Sequence, residues 1–224
     1  MILGNPINDQ LVADSVGNIR EMVSSRSSNP VTIVAVTKGF GVDAIKSAAK
    51  AGIHDIGENY AQELMKKRDI LENLDEGKNY RWHFIGNLQR NKIRKLSSSV
   101  FMWQSTDSLA LGEEIAKRSI SPKLLLQVNM TGAENQGGIP PAQVPSLVEK
   151  FEESGIHIEG LMTIGASADR DATLVCFQDL KKLANTLGLL ECSMGMSNDY
   201  DLALEAGATI LRLGRAIFGN RDAD

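Results

Sequence analysis

The sequence predicts an α/β fold: a (β/α)8 barrel of the TIM type, one domain over residues 1–224 with an extra N-terminal helix. Three observations predict it. Short apolar, β-branched runs alternate with helical patterns, the signature of parallel strands joined by crossover helices. About eight such runs fit into 224 residues, the strand count of a closed barrel. No G-x-G-x-x-G follows the first strand, which argues against a doubly wound open sheet, the main competitor.

The elements follow in order. Residues 8–26 read as an amphipathic helix, closed by the loop S-S-R-S-S-N-P at 24–30. V-T-I-V-A-V-T-K at 31–38 reads as a fully buried strand that delivers Lys38 to the C-terminal rim. Further strands are expected near 53–57, 81–85, 100–104, 123–129, 157–162, 190–193 and 208–213. Helical patterns between them include 42–51, 60–74, 108–119, 141–154, 171–187 and 198–206. Several end in glycine followed by an apolar residue, as in A-G-I at 51–53 and S-G-I at 154–156, where glycine takes the left-handed position that stops a helix. No repeat or linker interrupts the series.

Composition removes whole classes of function. A net charge of −4 is the wrong sign for general nucleic-acid binding. No apolar stretch of about 18 residues is present, so no membrane span is expected. M-I-L-G-N-P-I-N-D at the start lacks the features of a signal peptide, which makes the cytoplasm the expected compartment. Cys176 and Cys192 form no C-x-x-C pair and cluster with no histidine, so neither a metal site nor a disulfide is expected.

Two features carry chemistry. Lys38 ends a buried strand, where apolar surroundings lower an amine's pKa and make it a usable nucleophile. Two glycine-containing segments, S-M-G-M-S-N-D at 193–199 and R-L-G-R-A-I-F-G at 212–219, stand where strands seven and eight should end. Loops there often bind phosphate through exposed amides and a helix start. Ser197 is read as the N-cap of the helix that follows and as a hydroxyl donor, with the amides of Gly214 and Arg215 beside it.

These motifs, with G-E-N-Y at 57–60, H-F-I-G-N-L-Q-R-N-K at 83–92 and G-L-M-T-I at 160–164, make the chain resemble the pyridoxal phosphate homeostasis proteins over nearly its whole length. Those proteins are single-barrel relatives of the alanine racemase N-terminal domain. The resemblance implies pyridoxal 5′-phosphate (PLP) as ligand, with PLP-dependent apoenzymes as candidate recipients. It implies that Lys38 holds the aldehyde as a Schiff base, Asn59 lies beside the ring, and Ser197, Gly214 and Arg215 hold the phosphate. Arg212 would face the ring nitrogen. An arginine keeps its proton, so that nitrogen would stay unprotonated and the ring would be a weak electron sink. Two departures stand out: Gln136 occupies a loop position where relatives often carry lysine, and Arg215 replaces a common threonine or serine.

The resemblance favours a carrier over an enzyme. A racemase needs an acid and a base on opposite faces of the cofactor, and in alanine racemase a tyrosine from a separate domain supplies one of them. The chain closes at Asp224, soon after the last strand, so no such domain is expected. Tyr60 starts a rim helix and has the reach to meet the cofactor, whereas Tyr80 belongs to the far side and Tyr200 to a helix's first turn. His54 and His157 fall at strand starts, and His83 is read as a core residue. Cys176 and Cys192 are read as packed. The alternative is a low-activity PLP-dependent amino-acid racemase, and a third reading is a regulatory module. The basic runs at 66–69 and 90–95 are read as solvated helix faces rather than as a docking surface. A monomer is preferred.

Overall fold

The computed structural model describes residues 7–74, 80–166 and 169–220; the segment before Ile7 that bears on the signal-peptide expectation, and Asp224, lie outside them. Eight parallel strands close into a barrel in sequence order: β1 (Thr32–Val36), β2 (Asp55–Glu58), β3 (Arg81–Phe84), β4 (Val100–Thr106), β5 (Lys123–Gln127), β6 (Gly160–Met162), β7 (Glu191–Ser193) and β8 (Ile210–Leu213). Closure is made by β1 against β8, with Val34 opposite Arg212 and Ala35 opposite Leu213. The doubly wound alternative is thereby excluded.

The helices are α1 (Asp9–Arg26), α2 (Val42–Lys50), α3 (Ala61–Asn73), α4 (Arg90–Leu96), α5 (Leu109–Arg118), α6 (Val144–Glu153), α7 (Arg170–Thr186), α8 (Tyr200–Glu205) and α9 (Arg215–Phe218). The extra helix α1 is capped by Asn8, whose side chain accepts from the amides of Gln10 and Leu11. It buries Val12, Val16 and Ile19 and packs on α2, α8 and α9, across the seam where the barrel closes.

Two cores follow from the period of two along each strand. Val34, Met102, Leu125, Met162 and Ile210 point into the barrel. Ala35, Ile56, Trp82, Phe84, Trp103, Leu124, Leu126, Leu161, Leu211 and Leu213 point outward, against the helices. The strands are shorter than the sequence suggests. β6 spans only Gly160–Met162, and β1 stops at Val36, which leaves Lys38 two residues past the strand in the turn that follows.

Three side-chain expectations are corrected. The helix after β7 begins at Tyr200, so Ser197 is not its N-cap; Asp199 holds that position. The run 66–69 is not a solvated face, because Lys67 is only 3% exposed and Arg68 bonds Ser99 Oγ at 2.6 Å. Lys67 sits on the stripe of α3 that also buries Leu64 and Leu71, three and four residues away. Cys176 is half-buried rather than packed in the core, whereas Cys192 is fully buried.

Among the described residues no helix is long and apolar enough to cross a membrane, and no three metal-ligating side chains cluster.

Candidate functional site

The alternation that fills the barrel also builds its mouth. Carried past the strand ends, the inward series Val34, Val36 reaches Lys38; Asp55, Gly57 reaches Asn59; Met162 reaches Ile164; and Ile210 reaches Arg212 and Gly214. The structure brings Lys38, Asn59, Ser197, Arg212, Gly214 and Arg215 to the wall of one cavity of about 570 Å³ at the C-terminal end of the barrel. Val36, Phe40, Ile85, Met162, Ile164 and Met196 supply its apolar surface.

Arg212 is the most constrained of the six. It lies buried inside the barrel, donating from Nη1 to Ser193 Oγ at 2.7 Å and from Nη2 to the Thr163 carbonyl at 2.8 Å. Burial pulls its pKa down to about 10, partly offset by the Asp199 carboxylate, and it stays cationic at neutral pH.

Ser193 continues a polar chain through the barrel interior. Its hydroxyl donates to Gln104 Oε1 at 2.6 Å, and Gln104 Nε2 stands 2.8 Å from His83 Nδ1. His83 Nε2 lies 2.9 Å from Asp55 Oδ1, and Arg81 grips the same carboxylate at the N-terminal rim. The ends fix the polarity. Arg212 can only donate, so Ser193 spends its own proton on Gln104. Gln104 must then donate to Nδ1, leaving Nε2 protonated toward Asp55. Burial alone would raise the Asp55 carboxyl, but the hydrogen bonds from Arg81 and His83 outweigh it and hold the pKa at about 2.

At the other end of the cavity, Ser197 Oγ accepts from the Ala216 amide at 2.9 Å, in the first turn of α9. It therefore bridges the β7 loop to the first turn of that short helix. Gly214 precedes α9, and a Cβ there would sit 3.3 Å from the Val36 carbonyl, so the approach of β8 to β1 favours glycine. Asn59 is set by a closer contact: a Cβ on Gly86 would fall 2.0 Å from the Asn59 carbonyl oxygen. Asn59 Oδ1 is buried and has no hydrogen-bond partner.

Tyr60 does not reach this cavity. It follows inward-facing Asn59, points the other way, and is 62% exposed. Gln136, one of the two departures from the family pattern, donates to the Ile164 carbonyl at 2.7 Å and accepts from Thr131, tying the β5 loop to the β6 loop.

Sequence reasoning missed two groups: the Asp55–His83–Gln104–Ser193 chain and a charged cluster under Lys38. In the cluster, Glu58 Oε1 accepts from Lys67 Nζ and from Thr37 Oγ1, each at 2.6 Å. Lys67 also donates to the Thr37 carbonyl at 2.7 Å and to Glu63 Oε2 at 3.0 Å, and Glu63 Oε2 accepts the Gly39 amide at 3.0 Å. Burial pushes the Glu58 carboxyl above the ordinary range, against the pull of Lys67 and Thr37. The signal was a glutamate closing a buried strand, with a Glu63–Lys67 pair at helical spacing downstream.

Fold and site together define a barrel of the alanine racemase N-terminal type: the profile of "Alanine racemase, N-terminal domain" matches residues 15–222. The chain belongs to the pyridoxal phosphate homeostasis protein family. The relative of that name from Deinococcus radiodurans is 36% identical over 205 residues, covering 88% of this chain and 93% of that one. PipY of Synechococcus elongatus, solved with PLP bound, superposes with a TM-score of 0.80 at 31% identity, covering 93% of this chain and all of PipY. Alanine racemase from Bacillus anthracis shares the fold at 16% identity, with a TM-score of 0.71 over 97% of this chain and 57% of the racemase.

Proposed function

We propose that the protein binds pyridoxal 5′-phosphate in the mouth of the barrel and holds it reversibly, as a part of cofactor homeostasis. One observation carries this reading: an amine, a buried guanidinium, a hydroxyl and a helix start converge on a single cavity. The volume lies in the range of small-molecule sites, roughly 300–1,000 Å³. Asn59 Oδ1, buried and unpartnered at the wall, is an acceptor of the kind a polar ring substituent would satisfy. The family, and PipY with its PLP, support the same assignment.

In this reading Lys38 supplies the amine to which the cofactor's aldehyde attaches covalently and reversibly. The Ser197 hydroxyl and the amides of Gly214 and Arg215 hold the phosphate, and Arg212 meets the ring nitrogen. One chain provides all six residues, which supports a monomer as the working unit. Holding a reactive aldehyde in this way buffers it and permits its transfer to apoenzymes.

We further propose that the protein is not a metabolic enzyme. No tyrosine or histidine lines the cavity among the described residues. Its two carboxylates are engaged elsewhere: Asp169 Oδ1 accepts the Ala172 amide at 3.0 Å and Asp199 Oδ1 the Met196 amide at 2.5 Å. The test is an absorption spectrum of purified protein, then borohydride trapping and peptide mapping. The adduct is expected on Lys38 and should vanish in Lys38→Ala. Rapid exchange of the α-hydrogen of alanine or serine in deuterated water would favour the racemase instead.

A further inference from the structure

The charged cluster under Lys38 lies on the opposite side of the backbone from the cavity. Val36 and Lys38 face the barrel mouth, while Thr37 faces the helices and meets Glu58 and Lys67 there. Glu58 is fully buried and Lys67 nearly so. They sit among apolar residues of α3 and β2, such as Leu64 and Ile56.

Such a pair is a poor way to stabilise a barrel. Desolvating two charges costs about as much as their attraction returns, and an apolar pair of similar volume commonly does as well or better. What charges do here that methylenes cannot is hydrogen-bond Thr37, just before Lys38, and, through Glu63 on Lys67, Gly39 just after it. The Thr37 carbonyl accepts from Lys67 at 2.7 Å, the Thr37 hydroxyl donates to Glu58 at 2.6 Å, and the Gly39 amide donates to Glu63 at 3.0 Å. The same Thr37 carbonyl accepts the Phe40 amide at 3.0 Å, and Gly39 has φ of 75°, so the chain turns sharply just after Lys38. Lys38 is thus the outer residue of a turn whose flanking peptides are both tethered from behind.

We propose that Glu58 and Lys67 are positioning residues for Lys38, clamping the turn from the helix side so that its amine is presented to the cavity. This rests on the cofactor-holding role proposed for Lys38. Neither residue touches the cavity, and Glu63 completes the clamp through Gly39.

The test compares wild-type protein with the double variant Glu58→Leu/Lys67→Met, because removing one partner alone leaves an uncompensated buried charge. Two ligands separate positioning from pocket integrity. PLP reports the amine through its absorption band and borohydride adduct, whereas pyridoxine 5′-phosphate, an alcohol instead of an aldehyde, reports the pocket without it. The double variant is expected to form the Lys38 adduct at least about tenfold more slowly, with a shifted pH dependence of the band, while its Kd for pyridoxine 5′-phosphate changes by less than about twofold. An unchanged adduct rate, or equal loss of both ligands, overturns the proposal. If wild-type protein traps no adduct on Lys38, the cofactor-holding reading falls and takes this one with it, a result distinct from failure of the variant alone.

Discussion

Arg212 Nη1 lies 2.7 Å from Ser193 Oγ, and this contact joins the cavity wall to a polar chain that runs the length of the barrel. Each member is satisfied only in one orientation. Gln104→Leu should leave His83 Nδ1 and the Ser193 hydroxyl unsatisfied in the interior, costing about 1–3 kcal/mol of stability. Urea unfolding measures it. The same variant should weaken PLP binding by loosening Arg212, whereas a purely local defect would leave affinity intact.

Asp55 makes stability depend on acidity. Its pKa falls from 3.8 to about 2 in the folded protein, so its contribution is present above the unfolded value and is lost as pH drops from about 4 toward 2. The loss should amount to about 2 kcal/mol. In Asp55→Asn the stability of the protein should be lower at neutral pH and flatter across that interval; an unchanged slope in a pH series of denaturation curves would contradict the assignment.

Gly86 has no room for a methyl group beneath Asn59. Gly86→Ala should cost about 1–3 kcal/mol or more through backbone displacement, and it should reduce cofactor affinity because Asn59 moves with it. Thermal melts with and without PLP separate the two effects.

Lys67→Met strands the buried Glu58 carboxylate, and should destabilise by about 3–5 kcal/mol. Adding Glu58→Leu should recover most of that loss. Chemical denaturation of both variants is decisive, since two additive losses would mean that the residues do not act as a pair.

The thiol of Cys192 is buried, and burial pushes its pKa up to about 11. Thiol reagents at neutral pH should modify half-buried Cys176 first and reach Cys192 only on unfolding. Mass spectrometry of the labelled peptides gives the order.

The barrel was legible because eight buried strands leave a strong mark: β-branched apolar runs at intervals that only crossover helices fill. Of the mouth, Lys38 was legible from the end of its buried strand, and Ser197, Gly214 and Arg215 from the glycine-containing segments at the last two strand ends, whereas Asn59 and Arg212 came only with the family resemblance. Motif resemblance supplied the roles that spacing could not. Ser197 was misassigned because a serine before acidic residues looks like an N-cap in isolation; its partner is the Ala216 amide, nineteen residues on. Tyr60 looked available at the rim until the pleat turned it outward.

From its order of residues alone, the chain determines the run of strands and helices and their alternation, because those depend on neighbours a few positions away. Only the tertiary structure decided that Glu58 and Lys67 pair beneath Lys38, and that Asp55, His83, Gln104, Ser193 and Arg212 form one chain. Buried charges and polar groups must find partners wherever closure of the barrel puts them, and Gln104 meets Ser193 across 89 positions of sequence.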